Sequence, residues 1–214
     1  MTIPQNILKI INSIPPYVTV IAATKSRSIS EIKEAINTGI TIIGENYVQE
    51  AKEKYAELKG LVSFHLIGHL QSNKVKIAVE IFDMIQTIDS LQICKEINKR
   101  TKKIMPVLVE INTGYESNKT GILPDDTLGF LNAIRNFKNM QVKGIMAMAP
   151  SMKTKEEYRH YFRRMKDLFN KLKHANIPNI SMEILSMGMS DSYTVAIEEG
   201  STMVRIGRDI FGYG

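Results

Sequence analysis

The chain has 214 residues, 43% of them hydrophobic and 23% charged, with a net charge of +6 and a pI near 9.3. That balance excludes a disordered polyelectrolyte and a membrane-embedded bundle, and the length suffices for one large core that needs no staples. The surplus of Lys and Arg predicts no nucleic-acid partner: its dense stretches, Lys99, Arg100, Lys102 and Lys103 and then Arg159, Arg163, Arg164 and Lys166, fall on the solvated faces of predicted amphipathic helices.

In chain order, a short helix is expected over residues 5–13, stopped by Pro15-Pro16, and the β-branched apolar run 18–23 reads as a buried strand. Ser28 and Glu31 have capping-box spacing, Ile29, Ile32 and Ile36 share a helical face, and Gly39 supplies the C-terminal stop. A second strand over 41–43 leads through Gly44-Glu45-Asn46 into a helix whose buried stripe is Val48, Ala51, Tyr55 and Leu58, with Gly60 after it. Strand three is expected over 63–67, a helix over 74–81, strand four over 84–87, a helix over 90–102 and strand five over 105–112. Pro124 suits the first turn of the next helix. Strand six, 142–148, precedes the longest helix, marked by Tyr158, Phe162, Met165, Phe169 and Leu172, and strand seven covers 182–185. Asp191 is expected to cap a helix ending at Gly200, and 203–206 forms strand eight, with no helix of useful length after it. Eight strands alternating with crossover helices predict an α/β fold: a closed parallel (β/α)8 TIM barrel occupying residues 1–214 as one domain, ahead of an open Rossmann-like sheet.

Barrels of this kind carry their chemistry at the C-terminal ends of the strands. Strand one ends there in Ala22-Ala23-Thr24-Lys25. Burial of the Lys25 amine would lower its pKa and favour reaction with an aldehyde, whereas a lysine reaching solvent past the rim is the plainer reading of position alone. Ser186, Gly188 and Ser190 after strand seven, with Gly207 after strand eight, form the loop pair at which barrels commonly hold phosphate. Arg205, inside an otherwise apolar strand, needs a partner, either a ring nitrogen of a bound ligand or a barrel carboxylate, Glu110 or Glu45.

His65, between Phe64 and Leu66, reads as a hydrogen-bonded core residue, and His69, His160 and His174 show no partner spacing. The single cysteine, Cys94, reads as a small buried hydrophobe suited to a reducing compartment, and the twelve methionines as core filling near a planar ligand. No paired Cys or His spacing points to a metal, no G-x-S-x-G elbow to acyl transfer, and no P-loop or G-x-G-x-x-G to a nucleotide site. Neither a leader nor a membrane-length apolar run is found, so a cytoplasmic location is expected.

Six segments carry a wider likeness: Ala22-Ala23-Thr24-Lys25, Gly44-Glu45-Asn46-Tyr47-Val48-Gln49-Glu50, the run from His65 to Lys74, Gly144-Ile145-Met146-Ala147-Met148, the run from Leu185 to Asp191, and Val204-Arg205-Ile206-Gly207. Through them the chain resembles, nearly end to end, the pyridoxal phosphate homeostasis proteins. The resemblance implies a barrel similar to the N-terminal domain of alanine racemase, fold type III among proteins of pyridoxal 5′-phosphate (PLP), with the cofactor held covalently as an aldimine on Lys25. It also implies Arg205 facing the pyridine nitrogen, which suppresses the protonated ring that most electron-sink chemistry needs. Ser186, Gly207 and the next residue, Arg208, would hold the phosphate, and Asn46 would lie beside the ring. Arg208 stands where the family more often has a small hydroxyl residue. The function implied is intracellular PLP homeostasis by binding, storage or delivery, without strong catalysis, in a monomer whose clients are apo PLP enzymes. A racemase-like enzyme with Lys25 as base is the alternative, and a regulatory module contacting PLP enzymes is a third reading.

Overall fold

A computed structural model describes residues 1–115 and 120–212. Its strands β1 (Thr19–Ala23), β2 (Ile42–Glu45), β3 (Ser63–Leu66), β4 (Met84–Ile88), β5 (Met105–Glu110), β6 (Met140–Met146), β7 (Ile180–Ser186) and β8 (Met203–Ile206) form a closed barrel in sequence order. All neighbours are parallel, and β8 closes on β1 from Thr19↔Met203 to Ala22↔Ile206, which rules out the open sheet. The seams are unequal. β5 and β6 pair from Met105↔Met140 to Glu110↔Met146, whereas β7 and β8 share the single pairing Ser186↔Met203.

Around the strands run α1 (Ile3–Ser13), α2 (Ile29–Asn37), α3 (Val48–Leu58), α4 (Val75–Ile81), α5 (Leu91–Arg100), α6 (Thr127–Ile134), α7 (Lys155–His174), α8 (Tyr193–Glu198) and α9 (Arg208–Phe211). The Ser28–Glu31 capping box forms as its spacing requires, Glu31 N donating to Ser28 Oγ at 3.3 Å and Ser28 N to Glu31 Oε2 at 2.8 Å. A second box starts α1 earlier than expected: Gln5 N donates to Thr2 Oγ1 and Thr2 N to Gln5 Oε1. Thr2→Ala removes it, and about 1 kcal/mol of stability should be lost in urea unfolding.

Other boundaries shift for local reasons. Strand six begins at Met140 and ends at Met146, and strand seven starts at Ile180. Pro124 opens a 3-10 turn, Pro124–Asp126, that runs into α6. Asp191 does not cap α8, whose N-cap is Ser192; Asp191 is drawn instead into an ion pair with Arg208, at the start of a terminal turn that the sequence did not suggest. Among the described residues no helix is long and apolar enough to cross a membrane.

Strand alternation sorts the buried residues into two regions. The larger core lies between strands and helices and includes Ile43, Phe64, Leu66, Phe162 and Met165; a smaller one, Met84, Leu108 and Met146 packed with Ile184, fills the barrel interior. Two residues further along the same strand faces stand Gln86, Glu110 and Ser186, so the interior changes from an apolar floor to a polar layer just beneath the mouth.

Candidate functional site

β1 ends at Ala23 and releases Lys25 at the rim, where it is exposed. Of the two readings open from sequence, the structure shows the plainer one, a lysine that reaches solvent past the rim. The buried lysine of this neighbourhood is Lys54 of α3, 6% exposed, which the sequence reading passed over although it lies between Ala51 and Leu58 at helical spacing. Lys54 Nζ donates to Glu45 Oε1, Glu50 Oε1 and the Thr24 carbonyl, each at 2.7 Å. Thr24 Oγ1 donates to the same Glu45 Oε1 at 2.6 Å, and Ser26 N donates to Glu50 Oε1 at 2.6 Å. Burial pushes the Glu45 carboxyl above its ordinary range against the pull of Lys54, and its Oε2 is buried without a hydrogen-bond partner among the described residues.

Arg205 is buried inside the barrel, its NH1 donating to Ser186 Oγ at 2.6 Å and its NH2 to the Ala147 carbonyl at 2.9 Å. The carboxylate partners considered from sequence do not hold it: Glu45 pairs with Lys54, and Glu110 accepts from Thr120 Oγ1 at 3.2 Å, acting on Arg205 through space only. Burial lowers the Arg205 pKa to about 10, so the guanidinium stays charged at neutral pH.

The chain of bonds continues inward. Ser186 Oγ donates to Gln86 Oε1 at 2.8 Å, and Gln86 Nε2 meets His65 Nδ1 at 3.0 Å. An arginine can only donate, so every link is polarised in one direction and His65 must accept at Nδ1 as a neutral ring. Burial lowers the His65 pKa to about 4, in agreement with that direction and with the core role expected for it. Ser186, expected on a phosphate, is instead fully buried with its hydroxyl committed at both ends.

The rim is built by close backbone approaches. A Cβ at Gly68 would lie 2.2 Å from the Asn46 carbonyl oxygen, so only glycine lets the β3 loop hold Asn46 at the mouth. Gly188 takes φ +96°, and a Cβ there would strike Ala196 at 2.6 Å, which packs the β7 loop onto α8. Ser190 Oγ accepts from Asp209 N at 3.3 Å, and Arg208 pairs with Asp191, so the loops after β7 and β8 are tied twice. Two cavities open among the loops of this end. One of about 450 Å³ is lined by Asn46, Gly68, His69 and Met148, and one of about 500 Å³ by Glu110, Asn112, Tyr161, Met148 and Met189.

Of the site residues expected from sequence, Lys25, Asn46, Gly207 and Arg208 follow the C-terminal ends of β1, β2 and β8, while Arg205 and Ser186 lie below them. His69 does have a partner, Asp89 Oδ2 at 3.1 Å, because both residues follow the C-terminal ends of adjacent strands; a separation of one β/α unit was the signal to read. Cys94 is buried as expected, and burial pushes its thiol up to about 12.

Fold and site together define a class: a parallel barrel with an accessible lysine after its first strand and a buried arginine in its last. The family model described as alanine racemase, N-terminal domain, matches residues 2–214. The pyridoxal phosphate homeostasis protein of Haemophilus influenzae is 41% identical over 201 residues, 91% of this chain and 84% of that one. Its counterpart in Escherichia coli K12 is 38% identical over 209 residues, 92% of this chain and 86% of that one. The structure of PipY from Synechococcus elongatus with PLP bound superposes with a TM-score of 0.91 at 30% identity, covering 99% of this chain and 100% of that one. Alanine racemase of Clostridium difficile shares the fold, with a TM-score of 0.80 at 15% identity; all of this chain spans 57% of that one. The chain belongs to the pyridoxal phosphate homeostasis protein family.

Proposed function

We propose that the chain binds pyridoxal 5′-phosphate at the C-terminal mouth of the barrel, covalently through the Lys25 amine, and serves cytoplasmic cofactor supply by binding, storing or delivering it to apo PLP enzymes. The observation that carries this reading is that one barrel end combines an accessible amine, a buried oriented guanidinium and a loop pair bearing an arginine and a hydroxyl. Those are the chemistries an aldehyde, a pyridine nitrogen and a phosphate each require. The family membership and the PLP-bound relative support it.

When bound, the cofactor supplies an aldehyde open to reversible exchange between amines. The remaining work belongs to this chain's side chains. Arg205, charged and held by Ser186 and Ala147, presents a donor and so keeps a facing ring nitrogen unprotonated, which favours holding over turnover. Ser190 and the amides of Gly207 and Arg208 suit the phosphate, and the Arg208 guanidinium, paired with Asp191, stands where the family more often has a small hydroxyl residue. Ser186 acts beneath them by orienting Arg205.

Incubation of the purified chain with PLP is expected to give a visible imine absorbance band that borohydride fixes on the peptide containing Lys25. Lys25→Ala should lose both band and adduct. A wild-type chain that stays colourless and unmodified overturns the reading.

A further inference from the structure

We infer that Lys54, with Glu45 and Glu50, is a positioning cluster for Lys25, fixing the peptide groups on both sides of it; the inference rests on the cofactor reading above. Lys25 is exposed, so the direction of its side chain is set by the backbone that carries it and not by packing. That backbone is held at two points. On the N-terminal side Lys54 Nζ holds the Thr24 carbonyl at 2.7 Å while Glu45 holds the Thr24 hydroxyl at 2.6 Å. On the C-terminal side Glu50 takes the Ser26 amide at 2.6 Å, with Ser26 at φ +60°, a left-handed conformation that a serine adopts only under restraint.

The two holds are one network, since Glu50 Oε1 and Glu45 Oε1 both accept from Lys54 Nζ. Lys54 and Glu45 are buried, so these charge-assisted bonds are not exchanged for water. A flexible four-carbon amine is thereby launched from a fixed base, and part of the entropy lost on capturing an aldehyde is removed before the ligand arrives.

The alternative is a purely structural brace between β2 and α3, and three variants separate the two. Glu50→Ala removes the hold on Ser26, Glu50→Gln keeps a carbonyl acceptor there, and the double variant Glu45→Gln with Lys54→Met removes both buried charges together while keeping their shape. Each is titrated with PLP by absorbance, its unfolding temperature is measured, and amide exchange at Ser26 is followed in the cofactor-free chain. Glu50→Ala and the double variant should bind about tenfold more weakly with faster Ser26 exchange and a retained cooperative transition, and Glu50→Gln should recover most of both. Folded Glu50→Ala and double variants that bind within twofold of wild type overturn the inference. If wild type itself fails to bind PLP, the cofactor reading falls, and unchanged Ser26 exchange in the variants would then separately refute the positioning role.

Discussion

Lowering the pH from 6.5 to 4 is expected to remove about 3 kcal/mol of stability through His65 alone. Burial holds the folded-state pKa near 4, against an ordinary value of 6.5, so between those limits the unfolded chain binds a proton that the folded chain refuses. The unfolded state then carries more protons, stability rises with pH across the window, and the contribution is lost as pH falls through it. Geometry gives the same answer: a protonated Nδ1 would face the Gln86 amide donor, and turning that amide would set its NH2 against the Ser186 hydroxyl that Arg205 forces to donate. Asp89, Glu45 and Glu110, raised by burial, act in the opposite sense, gaining stability as pH falls, so wild type alone shows only a sum. His65→Asn keeps an acceptor for Gln86 and removes the titration. Urea unfolding from pH 4 to 7 should show the excess slope in wild type only; parallel profiles would refute the assignment.

Lys54→Met should cost about 3–5 kcal/mol, and adding Glu45→Gln should restore most of it. The single change leaves Glu45 buried, with an Oε2 that already has no hydrogen-bond partner among the described residues and an Oε1 that keeps only Thr24. The double change leaves no buried charge in the pair and little change in volume. Equilibrium unfolding of the two variants checks it, and equal losses in both would mean that packing, not charge, is what Lys54 contributes.

The barrel was legible because its signals are local: β-branched runs at 18–23 and 105–112, the capping box opened by Ser28, and the 158–172 stripe each specify an element. The family segments made Lys25, Asn46, Gly207 and Arg208 legible as rim residues. What the sequence concealed was pairing between strands. Gln86 looks unremarkable in β4 until closure sets it between Ser186 and His65, and Ser186 looks like a loop serine until its strand is seen to extend through it. Lys54 was hidden by its type: a lysine on a helix is read as solvated, and only the carboxylates of Glu45 and Glu50 make its burial tolerable.

Between β7 and β8 the single ladder pairing Ser186↔Met203 is extended past the strand ends by backbone bonds from Thr202 N to the Leu185 carbonyl, from Met187 N to that of Met203 and from Arg205 N to that of Gly188. This seam is thus fastened in part by loop backbone, and it lies directly below the loops carrying Ser190 and Arg208. A phosphate spanning those loops would work as a stitch across the seam, so that capture of the ligand and stiffening of the closure would be one event.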